Sequence, residues 1–166
     1  MAEAKMRVKS NVLAPSESSS VQFFGNNPMQ AFKVIPSLMM DIYRIDPGAF
    51  WEDEIRIDAS GDPVPFFGYW RGKEGKDSFT TFWIEVEIRG RQSKETRQGD
   101  VTVKIKPKLN TEFKFPTPIH RGIFWIYSRS FYKNQMQRYI KEARELTDEF
   151  ENAVRAHFDL MSKESV

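Results

Sequence analysis

Met29, Phe32, Ile35, Leu38, Met39 and Ile42 recur at three- and four-residue intervals behind Asn26, Asn27 and Pro28, which predicts an amphipathic helix opening at Pro28. Pro36 falls inside this run. A proline removes one helical hydrogen bond and clashes with the preceding turn, so a kink or two short helices is expected. Ahead of the helix, Met6 and Val8 alternate with Lys5, Arg7 and Lys9 in a first strand within residues 5–13, ended by the stretch from Pro15 to Ser20. Beyond the stop at Asp46, Pro47 and Gly48, residues Trp51, Ile55 and Ile57 alternate with Glu52, Glu54, Arg56 and Asp58. Asp53 shares the parity of the apolar residues there. Phe66, Phe67, Tyr69 and Trp70 form the next strand, closed by a turn from Gly72 to Gly75.

The sharpest alternation runs from Phe79 to Arg91, with Phe82, Ile84, Val86 and Ile88 on one face and Glu85, Glu87, Arg89 and Arg91 on the other. A polar loop over 92–100 leads to Val101, Val103 and Ile105, which alternate with Thr102, Lys104 and Lys106. Strand-like pieces follow at Glu112 to Phe115 and Ile119 to Tyr127, divided by Pro116 and Pro118. From Ser130 to Met161 the period changes to that of a helix, with no Gly or Pro to interrupt it. Such a helix is about 45 Å long and reaches across a small sheet. Its apolar stripe requires a dry partner, and the antiparallel strands supply one. The expected fold is therefore α+β: a curved antiparallel sheet gripping a long C-terminal helix, with residues 1–166 forming a single domain.

Composition narrows the function classes. A chain of 166 residues buries about 70% of its unfolded surface, enough for a proper core. Its 14 Phe, 4 Trp and 5 Tyr need a thick core or a lined cavity. The absence of cysteine excludes disulfides, thiol nucleophiles and Cys-ligated zinc, and with no apolar N-terminal segment it predicts a cytoplasmic protein. No run is long enough to span a membrane. Net charge is +2, with the excess of Lys and Arg falling in residues 71–121.

A first strand, a proline-interrupted helix, a run of antiparallel strands and one long terminal helix is an order that resembles the helix-grip fold of the Bet v 1-like, START-related superfamily. The resemblance spans nearly the whole chain and lies in layout; the GDP at Gly61 to Pro63 and the RGKEGK at Arg71 to Lys76 match the glycine-rich loop of plant members only loosely. It implies a cavity between sheet and terminal helix that holds a hydrophobic small molecule or lipid. No functional residue is transferred from the family.

Individual residues then divide by chemistry. An ionised Asp53 on an apolar face must be paired, be protonated or meet a polar ligand; a structural arginine, or a bulge that turns it outward, is the plainer account. His120, at the start of an apolar strand, has the chemistry of a proton shuttle. His157 sits at the border of the helical stripe. Two histidines far apart without His-x-x-x-His spacing support no metal site. Trp83 falls on the charged parity of its strand and is expected to pack against Lys and Arg stems. Lys104, Lys106 and Lys108 with Arg89 and Arg91 make a basic stripe, but Glu85 and Glu87 share that face and blunt its field, so nucleic acid is not the expected partner. No phosphate-cradling loop or nucleophile elbow occurs. The expected ligand site comprises Trp51, Asp53, Trp70, Phe82, His120, Trp125, Tyr127 and Tyr139, with no catalytic residue, metal or cofactor assigned. A cyclase or hydrolase on the same scaffold and an interaction module using the basic sheet face are the alternatives, and a homodimer is compatible with the sequence.

Overall fold

The alternation in the long strands resolves into one curved antiparallel sheet. The computed structural model describes residues 4–115 and 118–163. Its strands are β1 (Ala4–Asn11), β2 (Ser19–Asn26), β3 (Phe50–Ile57), β4 (Val64–Gly75), β5 (Thr80–Gln92) and β6 (Gln98–Phe115). Helix α1 (Ala31–Tyr43) joins β2 to β3, and α2 (Pro118–Tyr127) and α3 (Lys133–Lys163) follow β6. The sheet order is β1-β6-β5-β4-β3, with β2 also paired to β6. The two N-terminal strands share one edge: β1 pairs with Lys108–Phe115 and β2 with Gln98–Ile105. The interruption falls at Pro107, which has no N–H to donate to a ladder. Opposite it, the chain between β1 and β2 dips inward, burying Val12, whose carbonyl accepts from Arg144 Nε at 2.6 Å.

Burial follows the strand parity. Phe66 and Trp70 of β4, Phe82, Ile84, Val86 and Ile88 of β5, and Val101, Val103, Ile105 and Leu109 of β6 are buried on one face. Ala31, Ile35, Met39 and Tyr43 of α1 and Ala143, Phe150, Val154 and Phe158 of α3 close over that face. Rings interlock there: Phe23 stacks on Phe158 at 4.7 Å, and Tyr43 meets both Phe82 and Phe150 at 5.5 Å. Glycine makes room for the largest groups. A Cβ on Gly68 would lie 2.5 Å from the Trp70 ring, and one on Gly72 would lie 2.4 Å from Ile45 Cδ1, so these groups rest flat on bare backbone.

Four sequence expectations are corrected. Pro36 does not divide α1, which runs unbroken through it; packing of its buried stripe against α3 and the sheet outweighs one lost bond. Val101–Ile105 and Glu112–Phe115 belong to a single 18-residue strand, because the chain between them stays paired to β5. β4 continues through Gly72 to Gly75, and the turn comes after it. Residues Ile119–Tyr127 form helix α2 instead of a strand, joined to α3 by a π-helical turn at Ser128–Tyr132.

Candidate functional site

Away from the main core, the inner sheet face ends in a second aromatic cluster. Phe113 at the end of β6 packs against Phe124 of α2 with ring centroids 4.0 Å apart. Phe79 stands 5.1 Å from Phe113 and meets the Tyr132 ring edge-on at 6.3 Å. Met136 of α3 closes the cluster. Coverage here is incomplete. Met6 and Val8 of β1 lie opposite Phe113 and Thr111 on the inner face, yet they are 39% and 41% exposed, and Phe79 is 40% exposed. Under α1 and α3 the same face carries residues such as Phe82 and Ile84 that are fully buried.

A polar rim borders this cluster. Asp77, in the turn between β4 and β5, accepts from the backbone N–H of Phe79 at 2.7 Å and of Thr80 at 2.8 Å. It also accepts from the hydroxyls of Tyr139 at 2.9 Å and Tyr132 at 3.2 Å. Partial burial pushes the Asp77 carboxyl up, but these hydrogen bonds outweigh it and hold the group below the usual carboxylate range. Burial in turn raises the Tyr132 and Tyr139 phenols. Tyr132 is hydrogen-bonded to the buried Thr80 hydroxyl, which is 3.0 Å from that of Thr111. A recess of about 300 Å³ opens among Asp77, Ser78, Phe79, Tyr127, Tyr132 and Tyr139. An ionised carboxylate and three phenols at an apolar opening can orient a hydroxyl or amine while the rings take a hydrocarbon body.

The eight residues expected at the site separate into three places. His120, Trp125 and Tyr127 lie on α2, and Tyr139 hydrogen-bonds to Asp77; all four belong to the α2 end. Trp70 and Phe82 are fully buried in the main core, where the Trp70 indole N–H donates to Glu52 at 3.0 Å and Phe82 packs on Tyr43. Trp51 and Asp53 are on the opposite, outer face. The register of β3 against β4 shifts between Glu52 and Glu54, so the apolar parity assigned to Asp53 does not hold. Its carboxylate is ion-paired with Arg71. Simple alternation cannot register such a bulge. Asp77 and Tyr132 were missed; the signal available was Asp77-Ser78-Phe79, an Asx turn just before the strongest strand.

The outer face holds a second recess of about 500 Å³, bordered by Lys9, Arg71, Trp83, Glu85, Lys106 and Lys108. Trp83 stacks on Trp51 at 5.9 Å, and Lys73 Nζ lies 5.6 Å from each ring, as expected of an indole packed on cationic stems. Carboxylates on this face are spent on cations: Glu85 on Lys108, Glu87 on Arg89, Asp100 on Arg91 and Glu112 on Arg7. Burial, then the Glu85 charge, pushes the Tyr69 phenol up to about 12. The result is a solvated ladder of neutralised pairs.

Among the described residues no group of His, Asp and Glu is arranged to hold a metal ion, and no helix is long and apolar enough to cross a membrane. No protein-family model matches the chain, and no curated protein matches it in sequence. Solved structures similar to it include the protein of unknown function SA2116 from Staphylococcus aureus, 7% identical, covering 97% of this chain and 98% of that one at a TM-score of 0.31. An uncharacterised protein from Rhizobium leguminosarum is 7% identical over 92% of this chain and 99% of its own, at a TM-score of 0.25. Ara h 8.0201 is 12% identical over 79% of this chain and 97% of its own, at a TM-score of 0.20. Superpositions this loose carry no functional weight.

Proposed function

We propose that the protein binds a hydrophobic small molecule or lipid at the α2 end of the inner sheet face. The observation that carries this reading is the change in coverage along one face: packed without exposure beneath α1 and α3, but left with Met6, Val8 and Phe79 about two-fifths exposed beside the Phe113 cluster. Apolar side chains held open on a rigid sheet gain free energy from an apolar ligand, about 25 cal/mol per Å² removed from water. The recess at Asp77 and its tyrosines supplies polar groups to orient one end, and its size lies at the small end of ligand sites.

The test uses the neutral dye Nile red. The full chain is expected to bind it with a blue-shifted emission, and organic extraction of freshly purified protein followed by mass spectrometry is expected to release a hydrophobic compound. Val8→Asp sets a charge on the exposed strip and should weaken Nile red binding on the order of tenfold or more. Because Val8 stands at the rim, the unfolding free energy measured in urea should change by no more than about 0.5 kcal/mol. Undiminished dye binding in Val8→Asp would refute this placement.

A further inference from the structure

Helix α2 is apolar nearly all the way round, and a helix of that kind is normally buried. Among its described side chains Phe124 is the half-buried one, seated against Phe113. Ile123, Trp125, Ile126 and Tyr127 are 66%, 58%, 61% and 45% exposed, and nothing crowds Gly122 beside them. Ile123, Trp125 and Ile126 place three large exposed apolar side chains within four residues, which marks an interaction surface, while Tyr127 also borders the Asp77 recess.

Charge identifies what the patch meets. From Phe113 to Lys141 the sequence contains no Asp or Glu, while Lys114, Arg121, Arg129, Lys133, Arg138 and Lys141 fall within it. The Arg129 guanidinium lies over the Trp125 ring, 4.6 Å from its centroid. A second copy docked through this patch would bring like charges together on both sides of the contact, at a cost. An anionic lipid surface instead matches both features: isoleucine and aromatic rings enter the headgroup boundary, Trp and Tyr suit that depth, and the cations meet lipid phosphates. With 10 residues α2 is too short to span a bilayer and can only lie along its surface.

We propose that the outward side of α2, with the basic start of α3, docks on an anionic membrane surface. The contact uses Ile123, Trp125 and Ile126, which do not line the Asp77 recess, so it stands independently of a ligand there. Flotation of the full chain with vesicles of phosphatidylcholine, with and without phosphatidylserine, tests it. Binding is expected only when phosphatidylserine is present, and it should fall as salt is raised. Ile123→Ser with Ile126→Ser should weaken it on the order of tenfold for each side chain while leaving far-UV circular dichroism and Nile red binding unchanged. Arg129→Glu with Lys133→Glu should also weaken flotation, without touching an apolar residue. Equal flotation of wild type and the isoleucine variant, or equal binding to neutral vesicles, would overturn the proposal. A lipid-free dimer in analytical ultracentrifugation that the isoleucine variant dissolves would overturn it in favour of a second copy.

Discussion

Asp77 shows how one carboxylate at the surface, partly buried, organises several groups. It receives two backbone N–H groups and two phenols, and its ionised form is the better acceptor, which is why its pKa lies below the usual value despite partial burial. A carboxyl depressed on folding contributes stability that is present above its unfolded pKa of about 3.9 and is lost as pH falls through the lower folded value. Asp77→Asn should therefore cost about 1 kcal/mol at neutral pH, a modest figure because solvent screens the group. In urea titrations the gap between variant and wild type should close as pH drops below about 4; a gap independent of pH would contradict this role. Asp53 predicts a contrast. It is spent on a surface pair with Arg71, so Asp53→Asn should change stability by no more than about 1 kcal/mol and leave Nile red binding intact. At this scale the sequence misled where backbone geometry departs from regularity: a one-residue shift in β3 moved Asp53 and Trp51 to the outer face, and residue types alone do not encode it.

Long periodic elements were legible because their period is enforced over many residues. The alternation of β5 and the helical stripe of α3 survive any single substitution in the pattern. Helix α2 was not legible, since a short apolar run reads equally well as a strand or a buried helix, and Pro116 and Pro118 suit either. Its setting decides the matter: no strand partner is engaged, and Phe124 needs only one contact face. Within β4 the two inner-face glycines are as much a part of the pattern as the rings. Gly68→Val should destabilise the fold by about 1–3 kcal/mol, because the added carbons collide with the Trp70 indole and with Phe32. Chemical denaturation measures this; a neutral effect would mean that the ring is not seated on the backbone.

For the whole molecule, the helix-grip layout was predicted by element order and is observed as a curved antiparallel sheet closed by a long C-terminal helix. Element order does not say how tightly the space between them is filled, which depends on side-chain volumes meeting across strands far apart in sequence. Here Trp70, Tyr43, Phe82, Phe150 and Phe158 occupy the middle, and exposed apolar side chains remain at the end that α2 partly covers, at the β3 edge in Ile55 and Ile57, and at Phe24. A ligand is proposed at the α2 end and not beneath the long helix. Amide hydrogen exchange of the full chain, with and without saturating Nile red, tests it most directly. Slowed exchange is predicted in α2, in β1 around Val8 and in the turn at Asp77. Slowing confined to α1 and the C-terminal half of α3 would place the ligand beneath the long helix and contradict the account.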